Sequence, residues 1–125
     1  MKVLNFYHLG KVIPEGATYI GRAMPHFGLK ASKFANPFKL QDGEPRGSTI
    51  QRYKEWLWEQ IRSGKITLED LLELEGQNLV CFCAPQACHG DVLVAAVQWA
   101  RREWDKQHPP FKDDYWIWEE NYGNS

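Results

Sequence analysis

All three cysteines of the chain, Cys81, Cys83 and Cys88, fall within eight positions, and His89, Gly90 and Asp91 follow directly. Residues 79–91 read LVCFCAPQACHGD. Three kinds of chemistry suit this set. Cys88 at a helix start is a candidate nucleophile, because the helix N-terminus stabilises a thiolate and His89 beside it can act as general base or acid. Asp91 could orient His89, although a carboxylate in the first turn also interacts favourably with the helix dipole. The same backbone amides could instead hold a phosphate or carboxylate without covalent chemistry, with Cys88 small enough to admit it and Gly90 allowing close backbone approach. Thirdly, Cys81, Cys83, Cys88 and His89 supply three thiolates and one imidazole, a permitted tetrahedral set for zinc, although C-x-C-x4-C-H lacks the paired C-x2-C knuckles of familiar structural sites. Against all three stands a purely structural role, in which Cys88 packs under the helix, His89 caps it, and Cys81 and Cys83 fill the core.

Positioning these groups requires a strand before them and a helix after them. Residues 78–82 are short, apolar and partly β-branched, which predicts a buried strand with Cys81 and Cys83 on one face. Pro85 ends it, and VLVAAVQWA predicts a helix over about 91–105. Upstream, residues 1–9 predict a strand, Pro14-Glu15-Gly16 a turn, and ATYIGR a second strand ending at Gly21-Arg22. Residues 23–47 are rich in Gly, Pro, Lys and Asn without a sustained period, a long loop of the kind that more often carries function than not. Ser48 opens a helix with Gln51 as its capping-box partner; Ile50, Tyr53, Leu57 and Ile61 share its face, and Ser63-Gly64 closes it. Thr67 caps a second helix, LEDLLELE, stopped by Gly76. The order predicts one small α/β sandwich over residues 1–125, its sheet partly parallel and flanked by helices.

Several polar groups could face the Cys-His turn. Arg22 at a strand end can clamp an anion in bidentate fashion. Asn36 precedes a proline and is held extended, so its amide can read a base edge or a ribose hydroxyl, while Phe38 either stacks on a ring or anchors the loop. Arg46 can neutralise a phosphate near the Ser48 helix start; His26 is a further candidate. From about residue 108 the chain becomes an aromatic and acidic tail that folds back over the domain or forms a homodimer surface, and its acidity repels phosphate.

Composition narrows the setting. Of 125 residues 43% are hydrophobic and 14% aromatic, which marks a folded globular chain. A net charge of −1 argues against a general polyanion-binding surface, so nucleic acid is not an expected partner. No apolar run approaches the roughly 18 residues of a membrane span, the N-terminus lacks the pattern of a secretory signal, and clustered cysteines suit a reducing compartment, so the expected location is cytoplasmic.

YIGR at 19–22, NPF at 36–38, Arg46 before a helix containing Tyr53 and Trp56-Leu57, and LVCFCAPQACHGDVL at 79–93 together resemble the domain of unknown function numbered 4326, a family of bacteria and their phages. That family usually has Gly before NPF, where this chain has Ala35. The Cys-His turn is also similar to the C-terminal signature of the family numbered 488, in which a strand likewise runs into Cys-His at a helix start. The resemblance implies an α/β fold with its site at the Cys-His turn. The phage association and the residue set lean toward a nucleotide or nucleotide-derived ligand. Three expectations stand: a binder of a small anionic, nucleotide-like ligand, with or without transfer or hydrolysis by Cys88 and His89 and with no cofactor; a zinc-stabilised, non-catalytic interaction module; and a binder that sequesters a nucleotide signal.

Overall fold

The computed structural model describes residues 1–38, 44, 48–82 and 88–108. Three strands, β1 (Val3–Asn5), β2 (Ala17–Tyr19) and β3 (Asn78–Cys81), form a sheet of order β1-β3-β2 in which both pairings are parallel. The fold is α/β, as expected, and no described strand pair is antiparallel beyond a single bridge, Met24 to Leu29. β3 lies in the middle, which explains its apolar run: Leu79, Val80 and Cys81 are all buried because both faces of the central strand are covered.

The register sorts the strand residues between two faces. Leu79 and Cys81, with Ile20 beyond β2, join a core cluster with Tyr53, Leu57, Leu71, Leu93 and Val97 from the helices, and Val3 packs against it. Val80 pairs with Leu4 and Tyr19 and looks the other way. Toward that second face lies a cluster of rings from Phe6, Tyr7, Tyr19, Phe27 and Phe82.

Helix α1 (Ser48–Arg62) buries Thr49, Tyr53 and Leu57, a four-residue repeat that keeps one stripe against the core. The expected capping box does not form: Gln51 bonds Glu55 (3.2 Å), and the Ser48 hydroxyl, buried, has no hydrogen-bond partner among the described residues. Ser48 is itself the first helical residue, one position too late for its hydroxyl to reach the third helical amide. Thr67 does cap α2 (Leu68–Leu72), exchanging bonds with Asp70 at 3.1 and 3.0 Å. This helix is shorter than expected because the chain tightens at Leu74 and Glu75, whose amides reach back only three residues before Gly76 turns at φ 80°. Helix α3 (His89–Gln107) begins earlier than expected, with Cys88 as its cap.

Two connections also differ from expectation. β1 stops at Asn5 because the Asn5 carboxamide accepts a bond from the Tyr7 amide (2.9 Å), turning the chain into a 3-10 turn at Tyr7–Leu9. Within the long loop, Pro25–Phe27 form another 3-10 turn. Among the described residues no helix is long and apolar enough to cross a membrane.

Candidate functional site

The carboxyl ends of the three strands meet the start of α3, and local chemistry determines how. Cys88 is extended (φ −153°, ψ 178°), and its thiol accepts from the Gly90 amide at 3.3 Å. Asp91, at the third helical position, accepts from the Cys88 amide at 3.2 Å, so cysteine and aspartate form a reciprocal cap. The Cys88 sulfur also lies 3.3 Å from that of Cys81, and both residues are buried. Gly90 packs on the sheet: a Cβ there would stand 2.9 Å from Val3 Cγ1 and 3.2 Å from Ile20 Cδ1. Its lack of a side chain thus serves close approach of the helix to β1 and β2.

His89 is 7% exposed, and its Nε2 donates to the Ile20 carbonyl at 2.8 Å. A carbonyl only accepts, so the neutral ring carries its proton on Nε2 and leaves Nδ1 as the acceptor. Burial pushes the imidazole below its ordinary value; the positive charge of Arg22 adds to this, while the bond to Ile20 and the charge of Asp91 oppose it. The Tyr53 ring meets His89 edge-on at 5.0 Å, and the Tyr53 hydroxyl donates to the Phe34 carbonyl at 2.7 Å. Burial raises the Tyr53 pKa far above the ordinary phenol value, so it stays a donor. Tyr53 was legible only as a core position on α1; its second role follows from the rule that a buried hydroxyl needs a partner.

Arg22 projects from the end of β2. The Tyr19 ring folds back over Gly21, where a Cβ would collide with it, and its hydroxyl donates to the Arg22 carbonyl at 2.6 Å. The guanidinium is exposed and donates to the carbonyls of Asn36 (3.4 Å) and Phe38 (3.2 Å). Asn36 spends its carboxamide oxygen on the Phe38 amide (2.9 Å), which holds the Asn-Pro-Phe turn. The Phe38 ring lies beneath the Arg52 guanidinium, 5.8 Å from its centroid, and Arg52 pairs with Glu44 at 2.8 Å. The 34–38 segment is therefore pinned from two sides, by Arg22 and by α1.

Of the residues singled out by sequence, Cys88, His89, Gly90 and Asp91 form one group at the α3 start, and Arg22, Asn36 and Phe38 form a second. The two are joined through Ile20, whose carbonyl holds His89 two positions before Arg22, and through Tyr53, which touches His89 and holds Phe34. Arg46 and Cys83 lie outside the described residues, as does the tail beyond residue 108. Among the described residues no group of three or more His, Cys, Asp or Glu side chains is placed to hold a metal ion.

No solved structure matches the chain. It is 32% identical over 77 residues to the uncharacterized 12.4 kDa protein in the nrdA-td intergenic region of Enterobacteria phage T4, and this alignment spans 62% of each chain. A family model described as a domain of unknown function, DUF4326, matches residues 5–99, a stretch that runs from the end of β1 into α3 and includes both groups of candidate residues. The chain belongs to the DUF4326 family.

Proposed function

We propose that the protein binds a small anionic ligand, of the nucleotide or nucleoside-derivative class, at the carboxyl end of its parallel sheet between Arg22 and the start of α3. The observation that carries this reading is Arg22. Its guanidinium is exposed at a strand end and is held by two carbonyls, with no carboxylate on it among the described residues, so the charge is fixed in place without being neutralised. The crevice beyond the carboxyl ends of parallel strands is where open α/β sheets bind ligands. Phe38, tied to Arg22 through its carbonyl, is the candidate ring to lie against a base, and Arg46 remains a candidate second cation.

Binding without chemistry is the version that the geometry favours. The Cys88 thiol is buried and engaged by the Gly90 amide, and the His89 imidazole is bound to a backbone carbonyl, which suits a rigid floor better than a presented nucleophile. A protein that sequesters a nucleotide signal fits this description, and three cysteines in eight positions suit the reducing cytoplasm.

Native mass spectrometry of the untagged protein, as purified, with added nucleotides and after chelator, tests the reading. The expected result is a metal-free protein that carries or gains a nucleotide-sized mass, lost in Arg22→Ala while the variant still unfolds cooperatively as a folded protein, with only the modest drop in melting temperature that losing its two bonds to residues 36 and 38 entails. A bound zinc whose removal unfolds the protein would replace this reading with a zinc-stabilised interaction module. A ligand mass that changes with time in the parent but not in Cys88→Ser would place transfer or hydrolysis at Cys88 and overturn the non-catalytic version.

A further inference from the structure

The net charge of −1 averages two unlike portions of the chain. Residues 1–38 contain Lys2, Lys11, Arg22, Lys30 and Lys33 against one acid, Glu15, and the remaining acids all follow residue 38. The fold sorts these charges further. Lys33 is paired with Asp70 at 2.8 Å, and Lys2 and Glu15 sit just before β1 and β2, at the amino ends of the strands. Lys11, Arg22 and Lys30 belong to the connections at the opposite, carboxyl end. All three are exposed, and among the described residues none makes an ion pair.

Rings gather at that same end, each strand contributing to them. Phe6 and Tyr7 follow β1, Phe27 lies in the connection after β2, and Phe82 follows β3. Tyr7 is 50% exposed, yet it is braced by Phe82 at 5.2 Å and Phe27 at 6.1 Å. The Lys11 ammonium stands 5.8 Å over the Phe27 ring, and the exposed His26 ring lies 4.2 Å from it. Tyr19 connects this cluster to Arg22, with its ring 6.0 Å from Phe82 and its hydroxyl on the Arg22 carbonyl.

We propose that this aromatic and cationic end of the second sheet face binds single-stranded nucleic acid, with a base stacked on Tyr7 and phosphates against Lys11, Arg22 and Lys30. A braced, half-exposed ring beside cations that no described acid neutralises matches a polymer that alternates flat apolar bases with anionic phosphates. A duplex hides its base faces from such a ring. An apolar protein partner would leave three cations without counter-charges. Arg22 is shared with the proposed ligand site, so the discriminating variants are Tyr7 and Lys11, which lie outside it.

The test is fluorescence anisotropy of labelled oligo-deoxythymidine and oligo-uridine titrated with the full chain, beside a duplex and anionic lipid vesicles. Three phosphate contacts on a single strand give a log-log salt slope of about −2, an affinity loss of about 20-fold between about 50 and 200 mM salt. Tyr7→Ala should weaken binding about tenfold, the scale of one lost base–aromatic stack. Lys11→Glu should weaken it and flatten the salt slope by about one contact. Lys65→Glu is the control: this exposed lysine lies beyond the far end of the 15-residue α1, about 22 Å from its start, and its variant should bind as the parent does. Absence of saturable binding to either oligonucleotide, equal binding of the duplex, equal loss in Lys65→Glu, or binding of vesicles alone would each overturn the proposal. Loss of mononucleotide binding in Arg22→Ala with oligonucleotide binding absent would support only the ligand site.

Discussion

Lowering the pH should destabilise this protein through His89. The ring is 7% exposed and burial pushes its pKa below the ordinary 6.5, so between the folded and unfolded values the unfolded chain holds a proton that the folded chain lacks. Stability is therefore complete above the unfolded value and falls as pH drops through it, levelling off only when the folded ring protonates. One proton sets a ceiling of about 1.4 kcal/mol per pH unit, and integrating between about pH 7.5 and 5.5 for an unfolded value near 6.5 bounds the loss at about 1.4 kcal/mol, reached when the folded ring stays neutral throughout. For a chain of this size that bound is roughly 5 °C in Tm. Asp70 and Glu75, whose pKa values are lowered by bonds to Lys33 and Arg101, act in a separate window, losing their contribution only as pH falls below their ordinary values of 3.8 and 4.5. Urea unfolding followed by tryptophan fluorescence across this range measures the loss. His89→Gln keeps a donor for the Ile20 carbonyl and removes the titration, so its stability should be lower throughout and flatter between about pH 5.5 and 7.5. An unchanged pH slope in that variant would refute the assignment of the proton to His89.

Other substitutions probe the supports of the site. Gly90→Ala forces a methyl between Val3 and Ile20 and should cost about 1–3 kcal/mol; a double-mutant cycle with Val3→Ala should recover part of that by equilibrium denaturation, because the Val3 methyls are the nearest atoms. Tyr53→Phe leaves the Phe34 carbonyl without its donor and should cost about 1–3 kcal/mol, read by the same denaturation and by faster amide exchange in residues 34–38. Thr67→Ala removes half of the α2 capping box and should cost about 1 kcal/mol, with Asp70→Ala adding less than its single effect, since the two share the exchange of bonds.

The sequence alone determined those features that depend on neighbours in the chain. The apolar run of β3, the Thr67 cap, the stripe of α1 and the meeting of strand, Cys-His and helix are consequences of local spacing, and a central parallel strand must be apolar on both faces. Boundaries moved where a side chain captured a nearby amide, as Asn5 did with Tyr7 and Cys88 and Asp91 did with each other. Only the tertiary structure decided what those residues face. The bond from His89 to Ile20 spans 69 positions, and the Tyr53 hydroxyl reaches Phe34 across 19. Gly90 is a packing glycine because β1 and β2 happen to flank the middle strand. The gathering of Lys11, Arg22 and Lys30 at the carboxyl end of the sheet is invisible in a net charge, because it depends on which end of each strand a connection leaves from, and strand direction and order are set by pairing between segments far apart in the chain.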